Sequence, residues 1–383
     1  MSVTAAEGFR AAGVTAGLKA SGAHDVALVV SDGPEFGVAA VFTTNRVKAA
    51  PVLWSQRCAE VGSTRAVVLN SGGANACTGP EGFQDTHRTA EHVAAALGVG
   101  AIDVLVCSTG LIGERLPMNL LLAGVDEAAA ALSITGGADA ARAIMTTDSV
   151  PKTAVASRGG VTVGGMAKGA GMLAPGLATM LVVLTTDASA TAAELDVALR
   201  GATRVSFDRL DSDGCMSTND TVILMASGAS GTQPDHALLA ELVTDVCQSL
   251  ARQLLADAEG ASKDIAIRVC SAASEDDAVT VGRAVSRSNL FKCAITGEDP
   301  NWGRVLAAVG TTDAAFSPDR IGVAINGVWV CRAGSVGDDR ALVDMSGRAV
   351  EVTIDLGEGS CEATILTNDL TAAYVHENSA YST

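Results

Sequence analysis

The 383-residue chain is long enough for a large core, and length alone points to about two or three domains. Hydrophobic residues make up 48% and aromatics only 3%, so Ala, Val, Leu and Ile must build the core; the combination is ordinary for a soluble α/β protein and argues against disorder. A formal charge of −17 repels phosphate backbones and argues against general nucleic-acid binding. Early strands are predicted at 25–30, 37–43 and 66–69, and helical spacing covers 81–97. A strand follows at 103–107, then helices at 116–132 and 138–145. The pattern resumes with a strand at 180–186, a helix at 192–203, a strand at 221–226 and a long helix from about 234 to 257. Further helices are expected at 279–288 and 302–309, and the last sixty or so residues read as short strands, including 321–325, 350–354 and 361–366. Helices and strands thus mix along the whole chain, which predicts a layered α/β or α+β architecture.

No apolar run reaches the roughly eighteen residues of a membrane span. The first residues have neither the pattern of a secretory signal nor the Arg-richness of a transit peptide, so a cytoplasmic location is expected. The nine cysteines are odd in number and form no C-x-x-C pair. They are read as buried free thiols in a reducing compartment rather than disulfide or zinc partners. The five histidines show no metal-ligand spacing, and no metal is expected.

The most informative segment is Lys168-Gly-Ala-Gly-Met-Leu-Ala-Pro-Gly-Leu-Ala-Thr-Met-Leu181. A small-residue loop ends at Thr179, at the mouth of an apolar strand. Cleavage between Ala178 and Thr179 would place an amine and a hydroxyl on one residue, a nucleophile and base that needs no histidine. Ala178 leaves its carbonyl open to the Thr179 hydroxyl, Pro175 stiffens the turn, and Gly176 tolerates unusual dihedrals. A plain Pro-Gly turn into a strand would use the same residues. Ser108-Thr109-Gly110, after the strand at 103–107, is suited to a turn that exposes backbone N–H groups and the Thr109 hydroxyl. Composition alone would make Glu259 a solvated acid closing the long helix.

These segments, with Asn70-Ser-Gly-Gly-Ala-Asn75, Ala143-Ile-Met-Thr-Thr-Asp148, Ser217-Thr-Asn-Asp-Thr221, Gly297-Glu-Asp-Pro-Asn-Trp-Gly-Arg304 and the closing Val375-His-Glu-Asn-Ser-Ala-Tyr-Ser-Thr383, resemble the ornithine acetyltransferase family. Its members are glutamate N-acetyltransferases of arginine biosynthesis. The resemblance implies a self-cleaving fold related to certain aminopeptidases. Chains 1–178 and 179–383 would fold as one precursor, stay interlocked and pair as an (αβ)₂ heterotetramer. It implies that Thr179 is the nucleophile of a ping-pong transfer from N2-acetylornithine to glutamate, with release of ornithine, and that Thr109 and Gly110 stabilise the oxyanion. Substrate contacts fall to Thr146 (Thr147 being the alternative), Lys168, Thr179, Glu259, Asn378 and Thr383. Lys168 would hold a carboxylate and keep the Thr179 amine a free base. No cofactor is implied, although some members accept acetyl-CoA as a substrate. Gly176-Leu177 stands where the family often has Asn-Met. No catalytic role is assigned to 70–75, 217–221 or 297–304.

Two other readings compete. A self-processing aminopeptidase of the related fold would use a serine where this chain has Thr179, and would turn over peptide p-nitroanilides. An unprocessed amino-acid-binding protein would bind ornithine as an intact chain. A serine hydrolase would need the Gly-x-Ser-x-Gly elbow, which the sequence lacks.

Overall fold

The computed structural model describes residues 2–171 and 180–380, which form two compact units. Ala178, Thr179 and Thr383 lie outside the described residues. The first unit runs to Asp208 and takes up again over Cys215–Asp257; the second comprises Arg209–Gly214 and the chain from Ala258.

Among the described residues, nine strands build the first unit: β1 (Phe9–Val14), β2 (Val26–Ser31), β3 (Gly37–Phe42), β4 (Ala66–Ser71), β5 (Val104–Thr109), β6 (Lys152–Arg158), β7 (Val161–Lys168), β8 (Leu181–Thr186) and β9 (Thr221–Ala226). Its helices are α1 (Ala50–Ala59), α2 (Gly79–Leu97), α3 (Met118–Ala130), α4 (Gly137–Ala143), α5 (Ala192–Arg204) and α6 (His236–Ala256). One sheet has the order β1-β2-β4-β5 and the other β3-β9-β8-β7-β6. The parallel pairs β4–β5 and β8–β9 are joined through helices α2 and α5, as parallel neighbours require a crossover.

Strands β2, β4, β5, β8 and β9 are buried along their whole length, which is why they read as continuous apolar runs. The strand repeat divides their side chains between two cores. Val26, Leu28, Val68 and Val106 meet Val93, Leu121 and Val125 of the covering helices. Ala27, Val29, Leu69 and Leu105 meet Met166, Leu181, Val183, Ile223 and Met225 of the second sheet. Helix α6 covers the far face of that sheet, where a Cβ on Gly165 would come within 2.7 Å of Leu184 and 3.0 Å of Val246. The result is helix, sheet, sheet, helix. Strands from either side of position 179 lie next to each other, with Lys168 paired to Leu181.

The second unit holds β10 (Asp264–Ala272), β11 (Gly322–Ile325), β12 (Val328–Arg332), β13 (Ser335–Val336), β14 (Ala349–Asp355) and β15 (Cys361–Asn368), ordered β13-β12-β11-β14-β10-β15. Its helices are α7 (Glu275–Ser286), α8 (Asn289–Thr296), α9 (Trp302–Val309) and α10 (Ala372–Ala380). Ile265, Ile267, Val281, Val285, Phe291, Val305 and Val352 share its core. Residues 209–214 join this unit through a parallel bridge between Leu210 and Leu366.

Two expectations change. The helix read as 234–257 starts at His236, because the Asp235 side chain caps it by accepting the Leu238 N–H at 2.8 Å. None of the nine cysteines forms a disulfide among the described residues, but Cys77, Cys215 and Cys293 are exposed, while Cys58, Cys107, Cys247 and Cys331 are buried. Burial pushes the Cys107 thiol up to about 12. No helix among the described residues is long and apolar enough to cross a membrane, and no group of three potential metal ligands occurs among them.

Candidate active site

Thr109 is the last residue of β5 and is 2% exposed. Gly110 follows with φ +131°, a conformation that L side chains rarely adopt, and a Cβ there would fall 2.5 Å from the backbone nitrogen of Gly73. The chain can therefore turn so tightly at this point only with glycine. The Gly73 N–H donates to the Thr109 carbonyl at 3.0 Å and locks the turn.

Lys168 ends β7 at 1% exposure, and its Nζ donates to Thr109 Oγ1 at 3.3 Å. An ammonium can only donate, so Thr109 Oγ accepts here and keeps its own proton for a third atom. A buried cation behind a hydroxyl, next to a glycine turn, is suited to hold negative charge as it develops on oxygen.

Asp148 ties this centre to Thr146. Its Oδ2 accepts the Thr146 N–H at 2.9 Å, and its Oδ1 accepts the Gly169 N–H at 2.7 Å. Lys152, fully buried, donates at 2.6 Å to both Asp148 Oδ1 and Asp257 Oδ2. Burial alone would raise the Asp148 pKa, but Lys168, Lys152 and the Gly169 N–H outweigh it and hold the carboxyl below its ordinary value. The partly buried Lys19 also belongs to this neighbourhood. Burial lowers its pKa, and the charges of Asp25, Asp148 and Lys168 all reach it.

The motifs left without a role support the same centre. Ser108 Oγ donates to Asn70 Oδ1 at 2.6 Å, and Asn70 Nδ2 donates to the Gly73 carbonyl at 3.0 Å. Asn219 Nδ2 spans the Ala74 and Ser108 carbonyls at 2.6 and 2.8 Å. Ser71 Oγ donates to the Ala143 carbonyl at the end of α4, just before Thr146. Asp220, 0% exposed, accepts the Met180 N–H at 3.0 Å. Sequence reasoning missed Asp148, Lys152 and Asp220. A polar residue directly before or after a fully apolar strand was the available signal for Asp220. A cavity of about 490 Å³ lined by Arg158, Thr162 and Asp187 lies at the opposite ends of β7 and β8 and is not part of this centre.

In the second unit, Glu259 does not close α6: that helix ends at Ala256, capped by Asp257, and Glu259 is half-buried in the turn beyond. The turn is held to the start of α10. Thr371 Oγ1 donates to the Gly260 carbonyl at 2.6 Å, and a Cβ on Gly260 would lie 2.2 Å from the Tyr374 nitrogen. Asn378 is exposed on α10, with Nδ2 donating to the Tyr374 carbonyl at 3.0 Å. The structure thus joins Thr109, Gly110, Lys168 and Thr146 in the first unit, and links the elements that carry Glu259 and Asn378 in the second.

A layered α/β unit that brings a hydroxyl, a glycine turn and a buried ammonium together at its strand ends is suited to an enzyme that stabilises oxyanions, as acyl transfer demands. The chain matches the ArgJ family over residues 10–383. It is 69% identical over 383 residues to the arginine biosynthesis bifunctional protein ArgJ of Thermobifida fusca, covering 100% of both chains. It is 67% identical over 382 residues to the protein of the same name from Streptomyces coelicolor, again covering 100% of both. A solved chain of the ornithine acetyltransferase from Mycobacterium tuberculosis, complexed with ornithine, is 57% identical, covers 47% of this chain and 96% of that one, and has a TM-score of 0.43. The chain belongs to the ArgJ family.

Proposed function

We infer that this protein is a glutamate N-acetyltransferase of arginine biosynthesis, moving acetyl from N2-acetylornithine to glutamate through an acetyl-enzyme on Thr179. The chain first cuts itself: the Thr179 hydroxyl attacks the Ala178 carbonyl, the C–N bond breaks, and water hydrolyses the resulting ester to leave a free Thr179 amine. In turnover the Thr179 Oγ attacks the acetyl carbonyl while the amine takes its proton. The proton passes to the nitrogen of departing ornithine. Glutamate's amine then attacks the acetyl ester, and Thr179 recovers its hydroxyl proton.

The Thr109 hydroxyl and Gly110 N–H receive the oxyanion in each step. Thr146, Lys168, Glu259, Asn378 and Thr383 hold the amino-acid portions, with carboxylate falling to Lys168 and ammonium to Glu259. No cofactor takes part. The relatives are named bifunctional, and in this reading acetyl-CoA is a second acetyl donor to glutamate. The mature enzyme is cytoplasmic and assembles as (αβ)₂.

The observation that carries this reading is the buried Lys168 Nζ–Thr109 Oγ1 contact at 3.3 Å, beside the glycine-only turn at Gly110. Intact mass under denaturing conditions, with N-terminal sequencing, tests it. Wild type should give two fragments, one starting Thr-Met-Leu-Val, and Thr179→Ala a single chain. Wild type should transfer acetyl from acetylornithine to glutamate, and the variant should not. A single wild-type chain that still transfers acetyl would overturn the mechanism.

A further inference from the structure

The loop between β1 and β2, residues 15–25, is built around a buried carboxylate. Asp25, 0% exposed, accepts the Ala16 N–H at 2.6 Å on Oδ1. Its Oδ2 accepts the N–H groups of Gly17, Leu18 and Lys19 at 3.0, 2.6 and 3.1 Å. Main-chain donors thus satisfy both oxygens, and no side chain is needed to hold this charge. The Asp25 carbonyl accepts the Ser71 N–H at 2.9 Å, which ties the loop to the end of β4. A Cβ on the next residue, Gly72, would lie 2.9 Å from the Leu18 carbonyl oxygen. The loop therefore packs directly beside Gly73, the residue that locks the Gly110 turn.

This anchoring carries Lys19 to the edge of the Thr109–Lys168 centre. Its side chain is half-buried, and Nζ donates to the His24 carbonyl at 2.7 Å. An ammonium has three N–H bonds, and the other two have no partner among the described residues. The charges of Asp148 and Lys168 reach it from β7 and from the segment after α4. Lys152 offers no such opening, since it is fully buried between Asp148 and Asp257. A half-buried ammonium with open donors is suited to an anionic oxygen of a ligand.

The transfer inferred above brings two different amino acids to this centre in turn. Ornithine ends in a side-chain ammonium and glutamate in a side-chain carboxylate, while both carry an α-carboxylate. One cation, Lys168, serves the shared carboxylate. The second carboxylate, which only glutamate brings, calls for another cation, and that cation repels the ammonium of ornithine. We propose that Lys19 is a specificity-determining residue for the acceptor, binding the side-chain carboxylate of glutamate. The proposal rests on acetylornithine-to-glutamate transfer being the reaction.

The test compares the self-processed wild type with Lys19→Gln, which keeps an N–H for the His24 carbonyl but no charge, and Lys19→Arg, which keeps the charge. In a ping-pong reaction, kcat/KM for each substrate reports its own half-reaction. Lys19→Gln should lower kcat/KM for glutamate by about 10–100-fold, as for one lost hydrogen bond between charged groups. For acetylornithine it should change by less than about threefold. Free glutamine, the neutral isostere of the acceptor, should serve wild type and Lys19→Gln about equally and serve wild type far less well than glutamate. Lys19→Arg should recover most of the efficiency with glutamate.

An unchanged kcat/KM for glutamate in Lys19→Gln overturns the proposal. An equal loss for both substrates also overturns it, because a structural role or an α-carboxylate contact would act on both halves. A loss in Lys19→Arg as deep as in Lys19→Gln does the same. If Lys19→Gln does not fold, Lys19→Met, which keeps the stem, takes its place. A wild type that moves no acetyl to glutamate would instead defeat the function reading. Calorimetric titration of wild type and Lys19→Gln with glutamate and with free glutamine then decides for Lys19 separately: a preference for glutamate that the variant loses supports the proposal, and equal binding overturns it.

Discussion

Replacing Lys152 with methionine should destabilise the first unit and weaken substrate binding together. The ammonium is fully buried and contacts Asp148 and Asp257 at 2.6 Å each, and those side chains are only 0% and 10% exposed. Methionine keeps most of the stem volume, so the loss is chiefly that of the cation between two carboxylates. Breaking a buried pair from one side costs about 3–5 kcal/mol. At roughly 2–4 °C per kcal/mol for a unit of this size, the melting temperature should drop by roughly 6–20 °C.

The sign with pH follows from the carboxyls. In wild type the Asp148 pKa is lowered, so its contribution is present above the unfolded value and is lost as pH falls through the folded one. Without Lys152 the same burial acts with less opposition, and the folded pKa rises. The variant's deficit is then largest in the alkaline range and shrinks as pH falls, because protonation relieves the buried negative charge that has lost Lys152. Thermal unfolding of Lys152→Met and wild type, both in a Thr179→Ala background so that each sample is a single chain, gives the deficit at a series of pH values. In the cleavable background, KM for acetylornithine should rise, since Asp148 orients the Thr146 and Gly169 amides. Equal melting temperatures near pH 8, or a deficit that grows on acidification, would refute the account.

Gly110→Ala introduces a Cβ 2.5 Å from the Gly73 nitrogen and 2.8 Å from the Gly72 carbonyl carbon, at φ +131°. The strain of about 1–3 kcal/mol is relieved by moving the turn. Initial-rate kinetics should then show kcat down by about 10²–10³ with KM little changed, as when an oxyanion donor is displaced. Gly260→Ala places a Cβ 2.2 Å from the Tyr374 nitrogen at φ +61° and must push apart the Glu259 turn and the start of α10. Here KM for acetylornithine should rise by about tenfold or more, with a smaller change in kcat. A variant with wild-type KM would separate that turn from substrate binding.

The apolar strands were legible because burial on both faces leaves little choice of residue: 221–226 was read to the residue, and 180–186 to within one. The hairpin β6–β7 was not, although Lys168 ends it. Gly164 and Gly165 weaken its strand signal, yet packing requires them, since a Cβ at 164 would lie 2.3 Å from the Ser2 carbonyl oxygen and one at 165 would meet Leu184. Lys152 and Asp148 stand four apart and read as an ordinary exposed pair; nothing local says that Asp257, over a hundred residues later, closes the other side of the ammonium. Ser217-Thr-Asn-Asp-Thr221 likewise reads as a polar turn, the usual fate of such composition. Asp220 becomes unusual only when β8 and β9 lie parallel and bring Met180 to it. Thr109, Gly110, Thr146 and Lys168 were recognisable because the segments that carry them resemble the ornithine acetyltransferase family. The groups that hold them can be read only from burial and from contacts distant in sequence, which push the Asp148 pKa down and the Asp220 pKa up.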